Sequence, residues 1–195
     1  MKKVLAIVLA AVVAMSMFAG CKPSNSGSGA IKIGTSGPLT GDYAVYGVAV
    51  KNGLELAFEE INALGGLQFE LKAQDDEADS EKAVNAYNAL MDWGMQIMAG
   101  PTTSGSAAAT AAECVNDKVF MLTPSASDAA VIAAGDNVFQ ICFSDPNQGI
   151  ASADYIKNNN LATKVGVIYD SSSPYSAGIY EKFAAQAKKI GRAHV

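Results

Sequence analysis

Two neighbouring segments follow one plan, and that plan restricts the fold more than any other feature of the chain. Residues 95–99 form a short apolar run, and GPTTSGSAAA follows it, with a Pro and several hydroxyls opening an Ala-rich stretch. Residues 119–122 form a second apolar run, followed by TPSAS. A short buried strand, a polar turn and a helix, repeated, is the pattern of an α/β fold. Such a turn leaves backbone N–H groups unpaired beside the positive end of a helix dipole, which suits a carboxylate. Ser104 and Ser106 offer hydroxyls in the first turn; Thr123, Ser125 and Ser127 offer them in the second. Helix capping is the competing role for all five. A phosphate loop is excluded. Gly100 and Gly105 have the G-x-x-x-x-G spacing, but Ser106 stands where Lys is needed and Ala107 where Ser or Thr is needed. A nucleophile elbow is excluded because Thr102, not Gly, lies two residues before Ser104.

The same alternation runs through the chain. Residues 31–36 read as a strand, followed by the turn-rich GPLTG. The spacing predicts a helix over 44–63, with Val50, Leu54, Ala57, Phe58 and Ile61 on its inner face, ended by Gly65-Gly66. Residues 68–74 alternate as a strand. Asp75-Asp76-Glu77 is expected to be a solvated loop rather than a metal site, with Asp79 or Ser80 capping a helix over 81–93. A short helical turn near 126–133 and strands at 138–143 and 165–169 follow. Asp145-Pro146 and Ser173-Pro174 each read as a cap with Pro opening a helix. The order βαβαβαβαβαβα implies parallel sheets flanked by helices, with polar turns gathered at the carboxyl edge.

The start of the chain reads as an export signal. Lys2 and Lys3 precede an apolar run too short to span a membrane in a mature protein. Phe18-Ala19-Gly20-Cys21 resembles a lipobox, which makes 1–20 a lipoprotein signal peptide and Cys21 the lipidated residue; ordinary cleavage is the alternative. Residues 21–30 form a Ser/Gly-rich linker. Without the two signal lysines, 12 basic residues face 19 acidic ones. That balance, with no basic stripe, argues against nucleic acid as a partner. Cys114 and Cys142 read as small buried hydrophobes, with their pairing left open. A single His, His194, cannot assemble a Ser/His/Asp triad or a multi-His zinc site. No enzyme activity, metal or cofactor is therefore expected.

The segment IKIGTSGPLTGDYAVYGVAVKNGLELAFEEINALGG resembles the start of the bacterial branched-chain amino-acid binding proteins of ABC transporters. GPTTSGSAAA, FMLTPSASD, VFQICFSDPNQG and VGVIYDSSSPYSAGIYEKF match later blocks in order. The resemblance implies a type I periplasmic-binding fold of two α/β lobes with ligand held between them. It places the N-terminal lobe at 31–143 and the start of an incomplete second lobe at 144–189. It assigns ligand contacts to Ser104, to Ser125 and Ser127, to Tyr46 in the first loop and to Tyr175 beyond the sixth strand. Ala78 and Thr103 stand where some members carry a Cys pair, so that disulfide is absent. The closing IGRAHV leaves the pattern and matches a translated sequencing adapter, so 190–195 is expected to be non-native.

The implied function is capture of an aliphatic amino acid outside the cytoplasm, at the cell surface or in the periplasm, by a monomeric lipoprotein anchored to the membrane. Delivery is to the permease subunits of an ABC transporter. A ligand-sensing receptor domain of the same fold and a binder of amides or urea are the alternatives.

Overall fold

The computed structural model describes residues 29–191. The expected signal peptide at 1–20, Cys21, most of the expected linker and His194 lie outside the described residues. Five strands form one sheet: β1 (Ile31–Gly37), β2 (Phe69–Asp75), β3 (Ile97–Ala99), β4 (Phe120–Thr123) and β5 (Val138–Gln140). Six helices join and follow them: α1 (Ala44–Ala63), α2 (Ser80–Trp93), α3 (Ser104–Asp117), α4 (Ala129–Ile132), α5 (Asp145–Asn158) and α6 (Pro174–Lys189). The order across the sheet is β2-β1-β3-β4-β5, with every pairing parallel. Parallel neighbours need crossovers, and α1 to α4 supply them. All five carboxyl ends therefore lie along one edge. Gly37 is in register with Asp75 there, Ala99 with Leu122, and Thr123 with Gln140.

Helix α1 has the predicted bounds, but it is less buried than its periodicity suggests. Val50, Leu54, Ala57 and Phe58 are half-buried, and Ile61 is exposed. Phe58 stacks on Phe69 of β2, with ring centroids 5.6 Å apart. On helix α2, Ala83, Tyr87 and Leu90 are buried, and Asp79, one of the two expected caps, accepts from Lys82 N at 2.9 Å. Tyr87 and Leu90 join Met98, Ala111, Cys114 and Met121 in one apolar cluster between α2, α3 and the sheet.

A second cluster is separate. Ala153 of α5 packs with Phe183 and Ala187 of α6, and Ile156, Val165, Val167 and Ile190 border it. The two helices approach closely because residue 149 is Gly. A Cβ there would stand 2.8 Å from Phe183 N and would also strike the Ile179 carbonyl.

Two expectations are corrected. Strand β5 ends at Gln140, not at residue 143. Residues 165–169 form no strand. A strand is made by its neighbours' hydrogen bonds, and no described segment lies beside this run to form a ladder.

Candidate functional site

The two polar turns meet at the carboxyl edge of the sheet. Helix α3 starts at Ser104, and the side chain of its N-cap residue, Thr103, makes no capping bond. The Ser104 hydroxyl does not cap α3 either. It accepts from two backbone groups of the second turn, Ser127 N at 3.2 Å and Asp128 N at 3.3 Å. Both Oγ lone pairs are thus committed, and the hydroxyl proton remains to be donated.

Ser127 is held from its other side. Its hydroxyl donates to Asp145 Oδ1 at 2.6 Å. Asp145 N in turn donates to the Ser127 carbonyl at 2.9 Å. Ser104, Ser127 and Asp145 are all buried, at 5%, 2% and 1% exposure. Asp145 Oδ2 has no partner among the described residues. Burial pushes the Asp145 carboxyl above its ordinary range; the Ser127 hydroxyl pulls the other way, and the charge of Asp128 adds to the rise. The expected cap at 145 is corrected: Ser144 holds that place and Asp145 is the first residue of α5. A local pattern shows a helix start; it does not show that the carboxylate turns inward onto Ser127.

Thr123 locks the two turns together. Its hydroxyl donates to the Pro101 carbonyl at 2.6 Å and accepts from Ala126 N at 3.0 Å. It is therefore spent on structure. Ser106 is also engaged in structure: it is fully buried, accepts from the Thr103 hydroxyl at 3.0 Å and lies against the buried Asp76 carboxyl. Ser125 stands exposed on the rim of the second turn.

The sequence profile of the periplasmic binding proteins matches residues 30–195. This chain belongs to the periplasmic binding protein family. A Leu/Ile/Val-binding protein homologue from Brucella melitensis is 36% identical over 83% of this chain and 45% of its own length. The Leu/Ile/Val-binding protein BraC3 of Rhizobium johnstonii is 34% identical over 80% of this chain and 43% of its own. Among solved structures, the leucine-binding protein LivK of Thermotoga maritima superposes with a TM-score of 0.79 at 29% identity, covering 83% of this chain and 47% of that one. LivJ of Streptococcus pneumoniae, a branched-chain amino-acid transporter substrate-binding protein solved with isoleucine, gives 0.76 at 31% identity, covering 81% and 47%. The parallel sheet flanked by helices is the type I periplasmic-binding arrangement. The chain spans about half the length of the curated relatives it matches.

In this periplasmic binding protein the acidic run after β2 is not the solvated loop expected of it. Asp75 fastens the first loop, accepting from Leu39 N at 2.8 Å and from the Thr40 hydroxyl at 2.6 Å. Burial opposes its charge, but the bonds from Thr40, Leu39 and Glu77 outweigh it and hold the carboxyl below its ordinary range. Asp76 is fully buried; its Oδ1 accepts from Ala78 N at 2.9 Å, and Oδ2 has no hydrogen-bond partner among the described residues. Burial pushes its carboxyl up, against the opposing pull of the Ala78 N–H and the nearby Ser36 and Ser106 hydroxyls. Among the described residues no three His, Cys, Asp or Glu side chains gather as a metal site.

The two tyrosines assigned by family resemblance are both exposed. Tyr46 on α1 is 58% exposed and Tyr175 on α6 is 44% exposed. No hydrogen bond among the described residues joins either to Ser104 or Ser127. Tyr175 instead borders a groove of about 230 Å³ with Val165, Val167, Ile179 and Phe183. That lining is apolar and includes neither serine, so the groove belongs to the α5–α6 packing face. Cys114 and Cys142 are free thiols. No described helix is long and apolar enough to cross a membrane.

Proposed function

We propose that the intact protein is the solute-binding component of an ABC transporter for amino acids, with aliphatic side chains preferred. The observation that carries this reading is the Ser104 hydroxyl. Two backbone N–H groups hold it as an acceptor, which leaves its proton to be donated beside the start of α3. A donor at a helix N-terminus, in a dry setting, suits the carboxylate of a small ligand. Ser127 and Ser125 on the facing turn serve the ligand's ammonium. Tyr46 and Tyr175 close over its side chain when a second lobe, beginning near residue 144, swings in by hinge motion. The names of the relatives favour leucine, isoleucine or valine. The remaining parts of the proposal are export, anchoring through lipid on Cys21, a monomeric state and docking of the closed form on permease subunits.

Calorimetry on the full-length protein with leucine, isoleucine, valine, a small amide and urea tests the reading. Saturable binding of an aliphatic amino acid, lost in Ser104→Ala, is the expected result. Binding of amide or urea alone would overturn it. Cys21→Ser should release the protein from the membrane fraction; retention there would remove the lipid anchor from the proposal.

A further inference from the structure

Asp145 is a buried acidic residue that binds the candidate site from outside both polar turns. It opens α5, and its backbone and side chain both bind Ser127. Its place in the first turn of a helix favours negative charge on the carboxylate. Its far side faces α6 at Gly178, where an added Cβ would lie 3.4 Å from Asp145 Oδ2. The carboxylate therefore sits between the second turn and α6.

A carboxylate only accepts hydrogen bonds, and a Ser hydroxyl has one proton. At 2.6 Å from Asp145 Oδ1, that proton is committed. Ser127 therefore meets any ligand through its lone pairs alone. Ser104 is set the opposite way, with its lone pairs committed and its proton available. Two chemically identical side chains on facing turns are given opposite senses by their partners.

We infer that Asp145 is a positioning residue: by holding the Ser127 proton it makes Ser127 an obligatory acceptor for a ligand ammonium, opposite Ser104 as donor to the carboxylate. This inference rests on the amino-acid reading above. It adds that the α-amino group is selected by a residue that does not touch it. A ligand offering an acceptor to Ser127 finds no proton there, and an acid lacking the amino group gains nothing from it.

The test uses the full-length protein, with leucine and its des-amino analogue 4-methylpentanoate, read by calorimetry. Ser127→Ala should weaken leucine by about tenfold or more, the scale of a charge-assisted bond, and leave 4-methylpentanoate within about twofold. Ser104→Ala should weaken both. Asp145→Ala should weaken leucine to a similar degree as Ser127→Ala, and add less than about twofold in the Ser127→Ala background. Asp145→Asn keeps an acceptor oxygen and should recover most of the leucine affinity. Equal losses of both ligands in Ser127→Ala, or an Asp145→Ala cost that is undiminished without Ser127, would overturn the inference. The first of these needs no change at position 145, so it decides the matter if Asp145→Ala does not fold. Failure of the wild type to bind any amino acid would instead sink the amino-acid reading. The cycle is then read on urea unfolding, where additive effects of the two substitutions overturn the Asp145–Ser127 lock and a coupling between them retains it.

Discussion

Ser127 and Asp145 bind each other twice, hydroxyl to carboxylate at 2.6 Å and carbonyl to amide at 2.9 Å. The paired bonds fasten the turn after β4 to the first residue of α5, across the segment that leaves the sheet. A turn held at one point can pivot, whereas one held at two keeps its orientation. The serine side chain is therefore fixed with respect to both the sheet and the helix pair beyond it.

Thr123 gives the most direct test of how the two turns are joined. Thr123→Val keeps the shape, removes the donor to Pro101 O and removes the acceptor for Ala126 N. Two buried backbone groups lose their partner. Each such loss costs about 1–3 kcal/mol. Urea unfolding should show a loss of at least about 2 kcal/mol; a change within about 0.5 kcal/mol would contradict the assignment.

Asp76 predicts a pH dependence of defined sign. Its carboxyl is raised from 3.8 in the folded chain, so the unfolded chain ionises first as pH climbs. The contribution of this group to stability is full below 3.8 and is lost as pH rises through the raised folded value. Asp76→Asn carries no such proton. The variant should gain on the wild type between about pH 4 and pH 7 in parallel urea titrations. A constant difference across that range would remove Asp76 from the account.

Gly149 sets the distance between α5 and α6. A methyl group there meets the Ile179 carbonyl and Phe183 N, which are backbone atoms that cannot rotate away. Gly149→Ala should cost about 1–3 kcal/mol despite the better helix propensity of Ala. A stabilised variant would show that the helices are free to separate.

The Cys114 thiol should be unreactive in the folded protein. Burial pushes it up to about 12; the Tyr87 hydroxyl works against this, and the charges of Asp117 and Glu113 add to the rise. Iodoacetamide near neutral pH should label the half-buried Cys142 first and Cys114 only after denaturant is added. Early labelling of Cys114 would mean that α3 opens.

The fold was legible where it is written locally. Helix α1 has its predicted bounds because its apolar spacing and the Gly65-Gly66 stop are both features of neighbouring residues. The run at 165–169 has strand composition but no ladder, since pairing depends on what lies beside it. The site divides the same way. Ser104 and Ser127 announced themselves as hydroxyls after apolar runs. Asp76 and Asp145 looked like loop and cap residues, because nothing in a local pattern says that a carboxylate is buried. Thr123 and Ser106 show the complementary limit: a hydroxyl in a polar turn carries no mark of whether its bonds are already engaged in structure.

Strand β5 ends the sheet, and beside it the Phe120 and Phe139 rings stack at 5.3 Å with 43% and 46% of each residue exposed. Among the described residues no strand pairs with the outer side of β5, and an unpartnered edge next to an apolar platform is a template for another chain's strand. Anyone preparing these residues alone at high concentration should plan for clumping, and a lysine placed on the outer face of β5 is the simplest way to keep the material in solution.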